Sequence, residues 1–332
     1  MASVRSFYLF LVFASLAGCG EAVEPDPACL GEADDAVGWM PAFDASGLGA
    51  FFSVWGACHD DVWTVGGQPE VNGGVETGVA VHFDGATWAP WPHLPPSPVL
   101  HWVHGAGGEV FFAGEHGHLA RVKGGDVEQF DMGLEMPLWG LFAVATDDVW
   151  AVGGDPSNPA DGGALIHWDG AQWTITETEA VLFKVWGTSS DNLWAVGVGG
   201  VILHYDGGAW LPQVSGTTED LVSLWGRSES DVVAIGGRGQ GLGVRWDGSA
   251  WSPFELLTPG MSGTWMDSEG VVTAGGSRGT LARIDGAEVV IEDAGTMDLL
   301  HGIFGFDGGP RYAVGGSLTR QPPWEGVVLV DP

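Results

Sequence analysis

An all-β chain, folded as a seven-bladed β-propeller of four-stranded blades with the last blade closed by the N-terminal strand, is predicted by three features of this sequence. One short apolar segment recurs seven times at nearly constant spacing. Each copy leads through a turn into a further apolar segment, most often ended by Asp-Gly. The seventh copy lacks its last segment, and a spare apolar segment stands before the first copy. Units of about 40 residues that each carry four short strands are the repeat of a propeller.

The recurring segment is Asp61–Gly66, followed by Glu109–Gly114, Asp148–Gly153, Asn192–Gly197, Asp231–Gly236, Gly270–Gly275 and Pro310–Gly315. Before each lies an apolar stretch, centred on Trp55, Trp102, Phe142, Trp186, Trp225, Trp265 and Phe304, with spacings of 39 to 47 residues. The third segment ends at Asp84-Gly85, Asp169-Gly170, Asp206-Gly207, Asp247-Gly248 and Asp285-Gly286, and at Lys123-Gly124 in the second unit. Trp88, Trp173, Trp210 and Trp251 open a fourth segment three residues after the glycine. Short runs rich in Val, Ile and Trp between Gly-containing turns read as strands. Asp-Gly between two such runs is a hairpin signal. A sandwich would not repeat its sequence, and the 3.6-residue period of a helical solenoid is absent. The seventh unit stops at Val327–Pro332, which matches a third strand. Ala36–Pro41, with its unassigned Trp39, supplies the missing outer strand and so hides two sheet edges.

The order of a hydrophobic strand, a Gly pair, a variable loop, an aromatic and a tryptophan resembles the kelch-type propeller. Here it reads Val152-Gly153-Gly154, Trp168, Trp173, and again Val65-Gly66-Gly67, Phe83, Trp88. The second glycine is replaced at Glu115 and Val198. The pairs Trp168-Asp169 and Trp246-Asp247 are similar to WD repeats, whose Gly-His element is absent.

The N-terminus has the form of a signal peptide: Arg5, then an apolar run from Phe7 to Ala17, too short to span a bilayer. Leu16-Ala17-Gly18-Cys19 resembles the lipobox of bacterial lipoproteins. That resemblance implies cleavage after residue 18 and lipidation of Cys19. Gly20, where an aspartate would favour inner-membrane retention, implies an outer-membrane address in the bacterial envelope. Three segments are expected: a signal over 1–18, an acidic tether over 19–35, and the propeller over 36–332. Net charge is −32, with lysine only at Lys123 and Lys184. Such a surface repels nucleic acid and anionic lipid, leaving the acylated Cys19 as the one membrane contact. Cys29 and Cys58 either pair, stapling tether to body, or stay as thiols.

A residue that recurs at one place in many units belongs to the blade. Asp61, Asp148 and Asp231 are therefore expected to brace the turn into the second strand. His82, His167 and His204 share a third-strand position with Arg121, Arg245 and Arg283, so hydrogen bonding between blades is expected there rather than metal ligation. Calcium at Asp60-Asp61 or Asp147-Asp148 lacks the loop spacing such sites need. Trp63, Trp150, Trp173 and Trp194 are expected as core.

The unrepeated parts are loops between second and third strands. They form one face with the links between blades, a candidate ligand face of Glu70, Asn72, Glu76, Glu115, His116, Asp155, Asn158 and Asp161, with Arg238 and Arg278 across the ring. No HExxH or phosphate loop is present, and no catalytic residue, metal or cofactor is assigned. The expected function is a monomeric, envelope-anchored, non-catalytic ligand-binding or scaffold propeller whose partner is a protein or glycan. The alternative is a carbohydrate-active enzyme, a glycosidase or lyase, using loop carboxylates such as Glu76, Asp155 or Asp161.

Overall fold

The structure, a computed structural model, describes residues 38–70 and 74–332. Seven four-stranded antiparallel sheets follow one another in chain order. A short strand β1 (Met40–Pro41) precedes the first blade, which comprises β2 (Ala50–Cys58), β3 (Asp61–Gln68), β4 (Thr77–Phe83) and β5 (Trp88–Pro90). Blade two holds β6 (Leu100–Ala106), β7 (Glu109–Gly114), β8 (Leu119–Lys123) and β9 (Asp126–Phe130). Blade three holds β10 (Leu138–Ala145), β11 (Asp148–Gly154), β12 (Gly163–Trp168) and β13 (Trp173–Thr178). Blade four runs through β14 (Leu182–Ser189), β15 (Asn192–Gly197), β16 (Ile202–Tyr205) and β17 (Trp210–Gln213). Blade five runs through β18 (Leu221–Ser228), β19 (Asp231–Gly236), β20 (Gln240–Trp246) and β21 (Trp251–Pro259). Blade six contains β22 (Met261–Met266), β23 (Val272–Gly276), β24 (Thr280–Asp285) and β25 (Glu288–Asp293). Blade seven contains β26 (Leu299–Gly305), β27 (Arg311–Gly316) and β28 (Gly326–Asp331).

The ring closes as the sequence predicts. Strand β1 pairs antiparallel with β28, Met40 opposite Val330 and Pro41 opposite Leu329. Ala42 N donates to Val328 O at 2.9 Å. Trp39 locks this seam by donating its indole N–H to Glu292 of blade six at 2.7 Å, beneath the Arg311 guanidinium 5.2 Å from its ring.

The first strand of each blade lies innermost and packs on the first strands of its neighbours, all the way round to β26 against β2. Between blades lie the apolar cores, filled by Phe51, Phe111, Trp194 and the second-strand valines. The glycine near the end of each second strand has a common cause. An added Cβ would stand 1.9 Å from Ala50 O at Gly66, 2.0 Å from Val181 O at Gly197 and 1.8 Å from Leu299 O at Gly315. The inner strand crosses too closely for any side chain.

Two register expectations are corrected. The inner-strand centre in blade two is His104, which pairs with Phe111 as Trp55 pairs with Trp63; Trp102 sits two residues earlier, opposite Ala113. The acids opening the second strands bond chiefly across strands, and only Asp231 also spans its turn, accepting from Arg227 Nε at 2.6 Å. Asp61 Oδ1 accepts from Trp63 Nε1 at 3.0 Å and from His82 Nε2 at 2.7 Å. Asp148 repeats this with Trp150 and His167 at 3.0 and 2.8 Å. Asn192 meets His204 at 2.7 Å, and Asp231 takes Arg245 in two bonds at 2.7 and 2.9 Å. These third-strand residues therefore work within one blade, because a side chain opposite the tryptophan points at its own sheet's acid. Arg245 alone adds a bond to the next blade, at Gly270 O, 3.3 Å away. Each histidine also stacks on its tryptophan, at 4.1 Å for Trp63–His82 and 4.0 Å for Trp150–His167.

In blades one, three and four an acid also stands just before the clamp, and it has a separate role. In the Asp-Gly turns the aspartate caps the two backbone N–H groups that follow, as Asp169 does for Ala171 and Gln172 at 2.9 and 2.8 Å. Gly170 takes φ of 88°, and an added Cβ would lie 2.8 Å from Asp147 Cβ. Asp147 is thus the shelf on which the neighbouring hairpin rests.

Candidate functional site

Every inner strand carries a β-bulge at the same place. Its register slips by one residue between Phe51 and Ser53, Leu100 and Trp102, Leu138 and Gly140, Leu182 and Lys184. The same slip recurs between Leu221 and Ser223, Met261 and Gly263, and Leu300 and Gly302. A bulge re-aims one side chain. Here seven are re-aimed: Phe52, His101, Trp139, Phe183, Val222, Ser262 and His301. Five of them, from Trp139 round to His301, line one cavity of about 410 Å³ together with Lys184, Asp220 and Arg238. Five blades meeting in one cavity place it on the ring axis. Phe52 completes the circle, with ring centroids 5.0 Å from His101 and 5.1 Å from His301, and His101 stacks on Trp139 at 4.3 Å.

The cavity is apolar on the side of Trp139, Phe183 and Val222, and polar elsewhere. Trp139 is fixed by its indole N–H to Gly154 O at 2.8 Å. His301 donates from Nδ1 to Phe52 O at 2.9 Å, which leaves Nε2 as an acceptor. Burial pushes His301 down to about 4, with Lys184 and His101 adding to the effect, so the ring is neutral at pH 7. Arg238 Nε meets Asp220 Oδ2 at 2.6 Å, and Asp220 Oδ1 accepts from Gly199 N at 2.9 Å.

The loops between second and third strands open onto this mouth, since Pro156 and Arg238 both line the cavity. Of the predicted face, Arg238 of blade five and the loop beginning at Asp155 of blade three border this one cavity, two blades apart. Its acids are not equivalent. Glu76 is a strut: Oε1 accepts from Val99 N at 2.7 Å, and Oε2 lies 3.6 Å from His116. Burial raises the Glu115 carboxyl, but its bond from His101 at 3.4 Å and the charges of His101 and His116 hold it below its ordinary value. Asp155 closes its own turn, accepting from Ser157 N at 2.8 Å and Asn158 Nδ2 at 2.6 Å, and these bonds lower its pKa. Asp161 and Glu70 are exposed. Arg278, with φ of 61°, shares a second rim cavity with Arg238. Asn72, Cys19 and Cys29 lie outside the described residues. Cys58 is disulfide-bonded, and the described residues hold no second cysteine.

Sequence reasoning missed the axial residues Trp139, Phe183, Lys184 and His301. Strict strand alternation cannot show them, because each bulge adds the one residue that turns a side chain inward. Among the described residues no group of three or more His, Cys, Asp and Glu side chains is placed to hold a metal ion, and no helix is long and apolar enough to cross a membrane.

Fold and axial mouth together define a seven-bladed β-propeller with a lined central cavity. No family model matches the chain, and no curated protein does. Solved propellers are similar to it across nearly its whole length. YCF48 bound to D1 peptide superposes with a TM-score of 0.66 at 17% identity, covering 90% of this chain and 98% of that one. The WD40 propeller domain of Doa1 gives 0.68 at 12% identity, over 88% and 97%. Chaetomium thermophilum Sqt1 bound to the N-terminus of ribosomal protein L10 gives 0.58 at 11%, over 85% of each. At these identities the likeness is one of fold.

Proposed function

We propose that this chain is a non-catalytic binding propeller that grips a segment of a protein partner at the axial mouth of its loop face. The observation that carries this reading is the bulge ring. One backbone device, repeated in every blade, delivers Trp139, Phe183, Val222 and His301 to a single cavity of a size typical of ligand sites. Two of the similar propellers are bound, one to a peptide and one to a protein N-terminus. Of the loop carboxylates named for a glycosidase, Glu76 is held by Val99 N and Asp155 by Ser157 N and Asn158 Nδ2, and acids tied into the loops favour the binder over the carbohydrate-active enzyme. In the same reading Cys19 is lipidated and holds the propeller at the bacterial envelope.

Selection of a random peptide display library on the detergent-solubilised full chain tests the binding claim. Enriched peptides should lose at least tenfold in affinity on Phe183→Ala or Arg238→Glu with the melting curve unchanged. Peptides that bind both variants as tightly as the parent place the site elsewhere. Enrichment of nothing, with hydrolysis of envelope glycans by the same preparation, returns the enzyme reading. Processing and acylation that survive Cys19→Ser would overturn the anchor.

A further inference from the structure

One step below the bulge ring, the inner strands present Ser53, Trp102, Gly140, Lys184, Ser223, Gly263 and Gly302. Six of these are small or apolar and one is a lysine. Lys184 is 4% exposed, yet it lines the axial cavity. Its ammonium lies 2.8 Å from the ring centroid of Trp102, two blades away. Blade three's Gly140 stands between them, with no side chain to obstruct the crossing; its added Cβ would meet Lys184 Cα at 3.0 Å. Among the described residues no carboxylate pairs with Lys184, while Arg121, Arg227, Arg238, Arg245, Arg311 and Arg320 all have acid partners. In a chain of net charge −32 that is an unusual omission.

An amine taken from water without a counter-charge is costly. Burial alone drives the Lys184 pKa well below its ordinary value, and the tryptophan face offsets only part of that cost. The other charges at the cavity are already spent. Asp220 is tied to Arg238 and to Gly199 N, and Glu115 is turned to His101. What the cavity lacks is one anion on the axis, next to an apolar wall.

We propose that the axial cavity receives the C-terminal residue of its protein partner, with the terminal carboxylate on Lys184 and the last side chain against Trp139, Phe183 and Val222. This rests on the binding reading above and gives it a chemical class. A chain end needs room for only its last residue and carboxylate, and the cavity offers about 410 Å³. An internal Asp or Glu would instead have to bring flanking chain past Pro156 and Arg238 on both sides. Pairing in this water-poor site converts an uncompensated amine into a charge-assisted hydrogen bond.

The test compares three hexapeptides on the full chain by calorimetry. One ends in Ala-Leu with a free carboxylate, the second is its C-terminal amide, and the third is that amide with an internal Asp. The free acid should bind at least tenfold tighter than either amide. Lys184→Met, which keeps length and apolar packing on Trp102, should fold and lose the preference. Equal binding of acid and amide, binding of the internal Asp as tight as the acid, a preference that persists in Lys184→Met, or no binding of any of the three overturns the proposal. The first three results leave the peptide-gripping reading standing, and the display selection judges that reading separately.

Discussion

The acid that opens the second strand and the bulged residue of the first strand both recur around the ring, yet they are filled in opposite ways. The opening position keeps one chemistry in blades one to five: the acids Asp61, Glu109, Asp148 and Asp231 and the amide Asn192 each bind the histidine or arginine of the third strand. The bulge position keeps one geometry and varies the chemistry, from Phe52 through His101, Trp139, Phe183, Val222 and Ser262 to His301. Where a repeat holds the residue constant, the fold needs that residue. Where it holds the backbone constant and lets the residue drift, the scaffold is presenting something.

The sharpest way to break this contrast is Trp150→Ala. Trp150 sits between blades, stacked on His167 and edge-on to Trp210 at 5.4 Å. Its loss should cost about 3–5 kcal/mol, the range for truncating a buried large aromatic, read as a lowered denaturation midpoint. Asp148→Ala comes next. It leaves the Trp150 and His167 donors without their acceptor, at about 1–3 kcal/mol. Chemical denaturation gives that value.

The same carboxylate makes a pH prediction. Burial raises Asp148, but bonds from His167, Ser190 and Trp150 outweigh it and set its folded pKa below the ordinary value. A depressed folded pKa contributes stability that is present above the unfolded value and lost as pH falls through the folded one. Unfolding measured from pH 6 down to pH 2 should therefore fall less steeply in Asp148→Asn than in the parent. An unchanged slope would show that the clamp is not electrostatic.

Smaller effects sharpen the other half of the contrast. Gly170→Ala should cost roughly 1–2 kcal/mol, from left-handed backbone and the approach to Asp147. Asp161→Ala, at an exposed tip outside the repeated pattern, should move the midpoint by less than about 0.5 kcal/mol. A loss above 1 kcal/mol there would make that loop scaffold rather than display.

The blades were legible because their causes are local. Asp-Gly hairpins, the second-strand glycine and the closing segment at Trp39 each leave a mark in sequence, and each is found where it was expected. The partner of each strand acid was not legible as drawn. Asp61 and His82 stand 21 residues apart, and only the strand register shows that they share a blade. Blade two misled for another reason. His104 replaces the usual aromatic while Trp102 lies two positions away, so the hydrophobic maximum shifts along the strand. Unequal loop lengths mark the face on which the axial mouth opens. Its centre was not legible, because a bulge has no sequence signature when five residue types share its seven copies.

The seam between β1 and β28 also decides how this ring responds to pulling. Two paired residues, one further backbone bond at Ala42 and the Trp39 anchor hold it, whereas six residue pairs hold β27 to β28. Tension applied through the residues before Gly38 would load those few bonds one after another, as in opening a zipper, rather than all together in shear. The outer strand of blade seven would release at low force while the other three strands kept their hydrogen bonds. Under such a load the seam would act as a mechanical fuse at the rim, on the outer edge of blade seven rather than at the axial mouth.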